Sequence, residues 1–163
     1  TKKDLGFRTH YEDIDVGLVV AGGKELPAET GLVDSMGVTA TLLDILNIEG
    51  DPSFKGVSVY NGGRKFVISE NAGRGNADLI RRDIYFTVTT RTHKLMTILR
   101  GDKLEPCEFY DLLDDPRELV NRVNDPAYED QISNLTNAIY SEREVLLIER
   151  TNRKSNPVQV PAA

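Results

Sequence analysis

One cysteine, two histidines and no tryptophan stand in this chain of 163 residues. The single thiol, Cys107, excludes an internal disulfide, so cysteine usage argues for neither an oxidising nor a reducing compartment. With His10 and His93 as the only imidazoles, a Cys/His zinc cluster has too few ligands. No apolar run approaches the ~18 residues that a membrane-crossing helix needs. There is no phosphate-binding glycine loop, no dinucleotide fingerprint and no Gly-x-Ser-x-Gly nucleophile elbow. Cationic residues are also scarce: 20 Lys and Arg face 26 Asp and Glu, a formal net charge of −6. That balance disfavours nucleic acid or an anionic membrane surface as the main partner, while leaving room for a local anion site. The start, Thr1-Lys2-Lys3-Asp4, is neither a signal peptide nor a Met start, and the chain reads as beginning mid-protein.

What is present is enough for a core. Hydrophobic residues make up 39% of the chain and the mean hydropathy is −0.36, which fits one compact globular unit. Val16-Gly17-Leu18-Val19-Val20-Ala21 is a continuous apolar run stopped by Gly22-Gly23. Its length and branched residues predict a strand buried on both faces, as in parallel sheets covered by helices on both sides. Asp34 to Asn47 predicts a helix, capped by Asp34 or Ser35, with Met36, Thr39, Leu42, Leu43 and Leu46 on one stripe. Within it, Thr39 and Thr41 are expected to pack through their methyl groups.

Farther along, Lys65 to Glu70 reads as a strand and Asn71 to Asn76 as a glycine-rich surface loop. Asp83 to Thr90, Lys94 to Arg100 and Phe109 to Leu113 follow as three runs with short connections, the signature of an antiparallel meander. Asp115-Pro116 and Asp125-Pro126 each carry a helix-start signal, because Asp can cap orphan N–H groups and Pro loses nothing at a first helical position. The final helix, Pro126 to about Arg150, places Tyr128, Ile132, Leu135, Ile139 and Leu146 on one apolar stripe. The predicted fold class is therefore α/β at the front, with a small antiparallel sheet packed by a C-terminal helix behind it. The predicted division is residues 1–60, residues 61–150 and a loosely held tail over residues 151–163.

Candidate chemistry is sparse. The loop over residues 1–12 can pack through Phe7 and Tyr11, or it can present Arg8 or His10 to an oxyanion. A guanidinium fork suits sulfate or phosphate, and an imidazole can donate to it. Arg91, His93 and Lys94 form a small basic cluster at a strand turn, read as a solvated hairpin end or an anion contact. Cys107, between Pro106 and Glu108, reads as a structural thiol because the acidic neighbour disfavours the thiolate. Asp111, Asp114 and Asp115 are spaced for capping and turns.

Several ordered motifs add to this. Thr90-Arg91-Thr92-His93-Lys94-Leu95 is followed by Glu108-Phe109-Tyr110-Asp111-Leu112, then by Asp115-Pro116-Arg117-Glu118-Leu119-Val120-Asn121. This series resembles the C-terminal part of the sulfatase family. Its members typically read Arg-Thr, Tyr-Lys, Glu-Leu-Tyr-Asp-Leu and Asp-Pro-x-Glu-x-x-Asn here. Upstream, Tyr11-Glu12 with Val16 to Val20, then Asp34 to Gly50 with Thr39-Ala40-Thr41-Leu42-Leu43-Asp44, then Gly56-Val57-Ser58-Val59, resemble further family segments. The matches span roughly residues 8–140. Gly17 stands where the family usually has Pro.

The resemblance implies the edge of a large α/β domain, related to that of alkaline phosphatase, plus a small antiparallel sheet. It implies hydrolysis of sulfate esters, or in some relatives of phosphate or phosphonate esters. It also implies a formylglycine nucleophile beside a divalent cation (Ca or Mg/Mn) held by carboxylates. The nucleophile motif, Cys/Ser-x-Pro/Ala-x-Arg, is absent; Cys107-Glu108-Phe109-Tyr110-Asp111 does not match it. The implied catalytic residues and metal ligands therefore lie in an N-terminal part of the same protein, which becomes the expected partner, with a small-molecule or glycan ester as substrate. Where many members carry a sulfate-contacting Lys ahead of Tyr-Glu, this chain has Phe7 followed by Arg8, so Arg8 and His10 are the candidate substrate contacts. A phosphodiesterase or phosphonate hydrolase relative, or a non-catalytic binding module on the same fold, are the alternatives.

Overall fold

The computed structural model describes residues 25–27, 30–51, 53–71, 84–101 and 103–155, with side chains up to residue 142. The predicted strand over residues 16–21, the candidates Arg8 and His10, and most of the loop from Asn71 to Asn76 lie outside the described residues.

The first helix, α1, runs Ser35–Leu46. Its start is fixed as expected: the Asp34 carboxylate accepts the Gly37 N–H at 2.6 Å. Asn47 ends it in the left-handed region, φ 53°, returning its N–H to the Asp44 and Leu43 carbonyls. Thr41 does more than pack its methyl. It is 2% exposed, its hydroxyl donates to the Gly37 carbonyl at 2.7 Å and accepts the Val59 N–H at 3.0 Å. Val59 opens a 3-10 turn, Val59–Asn61, capped by the Ser58 hydroxyl. Val57 and Val59, expected in a short extended segment, thus lie at a turn that docks on α1. Glycine at position 56 is required there, since a Cβ would fall on the Met36 carbonyl. Leu32 and Arg64 form an antiparallel bridge, and the Arg64 guanidinium ties the Lys55 carbonyl to the Asp34 carboxylate, 2.9 Å away.

The apolar stripe of α1 is a correction. Met36, Leu42 and Leu46 are exposed, and the buried residues of the helix are Gly37 and Thr41. The close approach of the Gly56 segment demands small residues on that side, so the stripe points away from the described body.

The sheet is the predicted meander. β1 (Phe66–Asn71), β2 (Ile84–Thr90), β3 (His93–Arg100) and β4 (Lys103–Asp111) pair in the order β1-β2-β3-β4, all antiparallel. β4 begins at Lys103, well before the expected Phe109, and accommodates Pro106 by a register shift. Met96 faces Glu108 but Thr97 faces Pro106, leaving Cys107 as the extra residue. The Cys107 thiol donates to the Met96 carbonyl at 3.3 Å, the structural role expected of it. The bulge also sets the core. It switches the parity of β4, so that Leu104 and Phe109, five positions apart, face the same side.

That side carries Phe86, Val88, Leu95, Leu104 and Phe109, closed by Ile139. Ile139 belongs to α2 (Glu129–Ser155), which follows a 3-10 turn at Pro126–Tyr128. Tyr128, Ile132 and Leu135 pack around it as the predicted stripe requires, and Leu146 lies beyond the described side chains. The opposite face is also buried at Thr87, Lys94, Met96, Glu108 and Tyr110. The outer edge of β4 is covered by its own chain: Phe109 N–H donates to the Asn121 amide oxygen at 3.0 Å, its carbonyl accepts Arg122 N–H at 2.7 Å, and Leu104 N–H donates to the Tyr140 hydroxyl at 2.8 Å.

Candidate functional site

The motif residues converge on one place, the end of the sheet where the β2–β3 turn meets the loop after β4. The turn is tight. Thr90 Oγ1 accepts the N–H groups of Thr92 at 3.2 Å and His93 at 2.8 Å, and donates to the His93 carbonyl at 3.0 Å. Strand alternation then splits the basic cluster expected there. His93 faces the α2 side, where its ring stacks on Phe109 with centroids 5.5 Å apart and meets the Tyr128 ring edge-on at 6.2 Å. Lys94 faces the other side, 1% exposed, with Nζ 2.7 Å from Glu118 Oε1. Arg91 alone is fully exposed. The reading of these three as a solvated cationic hairpin end is therefore corrected: one is buried in an ion pair and one is stacked in an aromatic cluster.

The loop over residues 112–121 is held by its carboxylates. Asp111 Oδ1 accepts the Leu113 N–H at 3.0 Å and Asp111 Oδ2 accepts the Tyr128 hydroxyl at 3.1 Å. Asp115 Oδ2 accepts the Val120 N–H at 2.7 Å. So the expected capping role holds for Asp111 and Asp115, but Asp115-Pro116 starts no helix. Glu118 takes a left-handed conformation instead, φ 56°, and its side chain turns inward to Lys94. Helix formation waits for Asp125-Pro126, where the Asp125 carboxylate caps Ala127 N–H. Asn121 Oδ1 accepts from Phe109 and Val123 N–H groups, and its Nδ2 donates to the Cys107 carbonyl at 3.1 Å. Tyr110 donates to Glu108 Oε2 at 2.6 Å.

The electrostatics follow from these bonds. Burial pushes Asp111 up, but the N–H groups of Leu113 and Asp114, the Tyr128 hydroxyl and the charge of His93 together hold it below its usual value. The same hydrogen bond to Asp111 raises the Tyr128 phenol. A phenol that donates to a carboxylate and titrates high is not a base or nucleophile near neutral pH. Among the described residues, no group of three or more His, Cys, Asp or Glu could hold a metal ion. The cluster is therefore a brace locking strand, turn and helix. Glu118 and Asn121 matter most to it, and sequence reasoning gave neither a partner. Their positions inside the Asp-Pro-x-Glu-x-x-Asn motif were the available signal.

One concavity of about 340 Å³ lies elsewhere, between the end of α1 and the segment from Ile48 to Asn61, lined by Leu43, Asp44, Ile48, Asp51, Phe54 and Ser58. Asp51 is held below its usual value by the Ser53 hydroxyl and N–H.

No protein-family profile matches the sequence, and no curated protein matches it. Among solved structures, the chain is similar to a presumed sulfatase from Bacteroides thetaiotaomicron VPI-5482, with 22% identity and a TM-score of 0.45 over 72% of this chain and 24% of that one. It is also similar to a protein solved with its substrate D-glucosamine-2-N,6-O-disulfate, at 20% identity and a TM-score of 0.47 over 77% of this chain and 25% of that one. The chain thus spans about a quarter of the length of each.

Proposed function

We propose that the chain is the C-terminal portion of a sulfatase-like hydrolase acting on sulfate esters, with its nucleophile and metal ligands in an upstream part of the same protein. The observation that carries this reading is the convergence of the motif series. Thr90, Lys94, Asp111, Asp115, Glu118 and Asn121 are spread over more than thirty positions (from 90 to 121), yet they meet in one brace. Such an ordered set is kept together by a shared architecture rather than by chance composition.

In this reading residues 1–60 complete a large α/β domain, residues 61–150 form the small sheet with its helix, and residues 151–163 are a tail. A formylglycine with a divalent cation supplies the attacking hydrate and polarises the ester oxygens when present. The described residues do not fit that metal, and no chemical step is assigned to them. Arg8 or His10 contacts the transferred sulfate, and the substrate is a small-molecule or glycan ester.

The test is the parent protein, expressed with its upstream sequence and assayed on an aryl sulfate and a sulfated glucosamine against matched phosphate and phosphonate esters. Sulfate turnover with a Cys/Ser-x-Pro/Ala-x-Arg motif upstream is the expected result. Preference for phosphate or phosphonate, or no such motif, overturns it. In the same protein Arg8→Ala should raise KM; unchanged KM and kcat remove Arg8 from the site.

A further inference from the structure

The stripe on α1 has no partner among the described residues. At about 100° per residue, Leu42, Leu46, Thr39, Leu43 and Met36 fall within an arc of about 120°, centred opposite the buried pair Gly37 and Thr41. Met36 is 49%, Leu42 54% and Leu46 64% exposed. Ile48 at 53% and Phe54 at 51% continue the apolar surface past the helix end, beside the concavity that Leu43, Ile48 and Phe54 share. No charged residue falls inside the arc. A helix with one side closed on its neighbours and a charge-free stripe on the other is built as an interior helix, covered on both sides.

The sequence names what the other side needs. Val16 to Ala21 has the composition of a strand from a parallel sheet with helices on both faces, yet every strand described here belongs to the antiparallel meander. A lone parallel-type strand and a helix with an uncovered stripe are two parts of an α/β layer whose remaining strands this chain does not supply.

We propose that the Met36–Leu42–Leu46 face of α1, continued by Ile48 and Phe54, is the docking surface for the upstream α/β part of the same protein. This rests on the functional reading above and adds to it the surface by which the two parts join. The interface is a permanent one, apolar at its centre, of the kind seen inside a domain rather than between transient partners.

The test compares Leu42→Ala/Leu46→Ala in two settings. In the 163-residue chain alone these side chains are exposed, and thermal unfolding should shift by no more than about 2 °C. In the parent protein they become core, and the same pair should lower Tm by about 4 °C or more. Added separately to the purified chain, the upstream part should bind wild type, and Leu42→Asp/Leu46→Asp should weaken binding at least tenfold. As a control, Leu119→Asp, on an exposed side chain of the loop after β4, should leave binding unchanged. Equal Tm shifts in both settings, equal binding of the charged variant, or self-association of the isolated chain that the charged variant abolishes each overturns the proposal. Sulfatase turnover separates the two ideas. An α1-dependent complex that hydrolyses no sulfate ester keeps the docking surface and removes the functional reading. A parent that is an active sulfatase yet is insensitive at Leu42 and Leu46 does the reverse.

Discussion

Replacing Lys94 by Met tests the brace most sharply. The Lys94 and Glu118 side chains are each 2% exposed and their charged atoms lie 2.7 Å apart. Methionine keeps most of the aliphatic volume of lysine, so packing against the sheet changes little. What changes is that Glu118 becomes a buried charge without its cation, and breaking a buried pair from one side costs about 3–5 kcal/mol. Against a typical total of about 5–15 kcal/mol, that is a large fraction. Glu118→Gln removes the other charge and keeps the shape, with a similar cost for the orphaned ammonium. The double variant buries neither charge. It should therefore lose less than the two single losses summed, giving a coupling energy of about 2–3 kcal/mol in a double-mutant cycle. Glu118→Gly separates a competing effect. Glycine relieves the left-handed backbone at φ 56°, a gain of about 1 kcal/mol, which is smaller than the loss, so this variant is also destabilised. The chain has no tryptophan, so urea unfolding is followed by far-UV circular dichroism. Single variants that add within about 0.5 kcal/mol, or a Lys94→Met loss below about 1 kcal/mol, would refute the reasoning.

Other parts of the fold give their own tests. Ile139 closes the core at 1% exposure, so Ile139→Ala should cost about 2–5 kcal/mol in the same urea assay. Thr41→Val keeps the shape but leaves the buried Val59 N–H without its acceptor, a loss of about 1–3 kcal/mol that Thr41→Ser should largely avoid. Asp111 is held below its usual 3.8, so its contribution to stability is present above that value and is lost as pH falls through and below it; Asp111→Asn should flatten the stability–pH curve in that window and leave the others' acid losses intact. Because Tyr128 titrates high through its bond to Asp111, the same variant should bring one tyrosine back toward ordinary alkaline titration by ultraviolet absorbance.

Local signals carried much of this structure. The α1 cap at Asp34, the four-strand meander and the Tyr128–Ile132–Leu135–Ile139 stripe all depend on short-range chemistry and periodicity, which a single sequence displays. Features decided by distant residues were hidden. Asp115-Pro116 has the same local form as Asp125-Pro126, but after Asp115 the chain is claimed by the buried Lys94, which pulls Glu118 inward and breaks the helical path. Lys94 beside His93 looks like one cationic patch until the strand turns alternate residues to opposite faces. The early start of β4 was masked by Pro106, and only the bulge that leaves Cys107 unpaired reconciles a proline with the ladder. The amphipathic reading of α1 found the right residues and assigned them the wrong neighbour, because periodicity shows that a face is apolar without showing what covers it.

The most family-like residues turn out to be the least chemical ones. Asp111, Asp115, Glu118 and Asn121 spend their polar atoms on backbone N–H groups, a tyrosine hydroxyl and a buried ammonium. A residue satisfied in this way holds shape and has little capacity left for substrate. Motif strength in this segment is therefore evidence about architecture, and it separates two kinds of damage. Substituting Asn121 or Glu118 should lower folded yield and stability in proportion to turnover, leaving KM per folded molecule unchanged. Substituting Arg8 should raise KM while the unfolding midpoint stays put. A variant of Glu118 that folds at wild-type stability yet loses substrate affinity would place the brace inside the site and reverse this division.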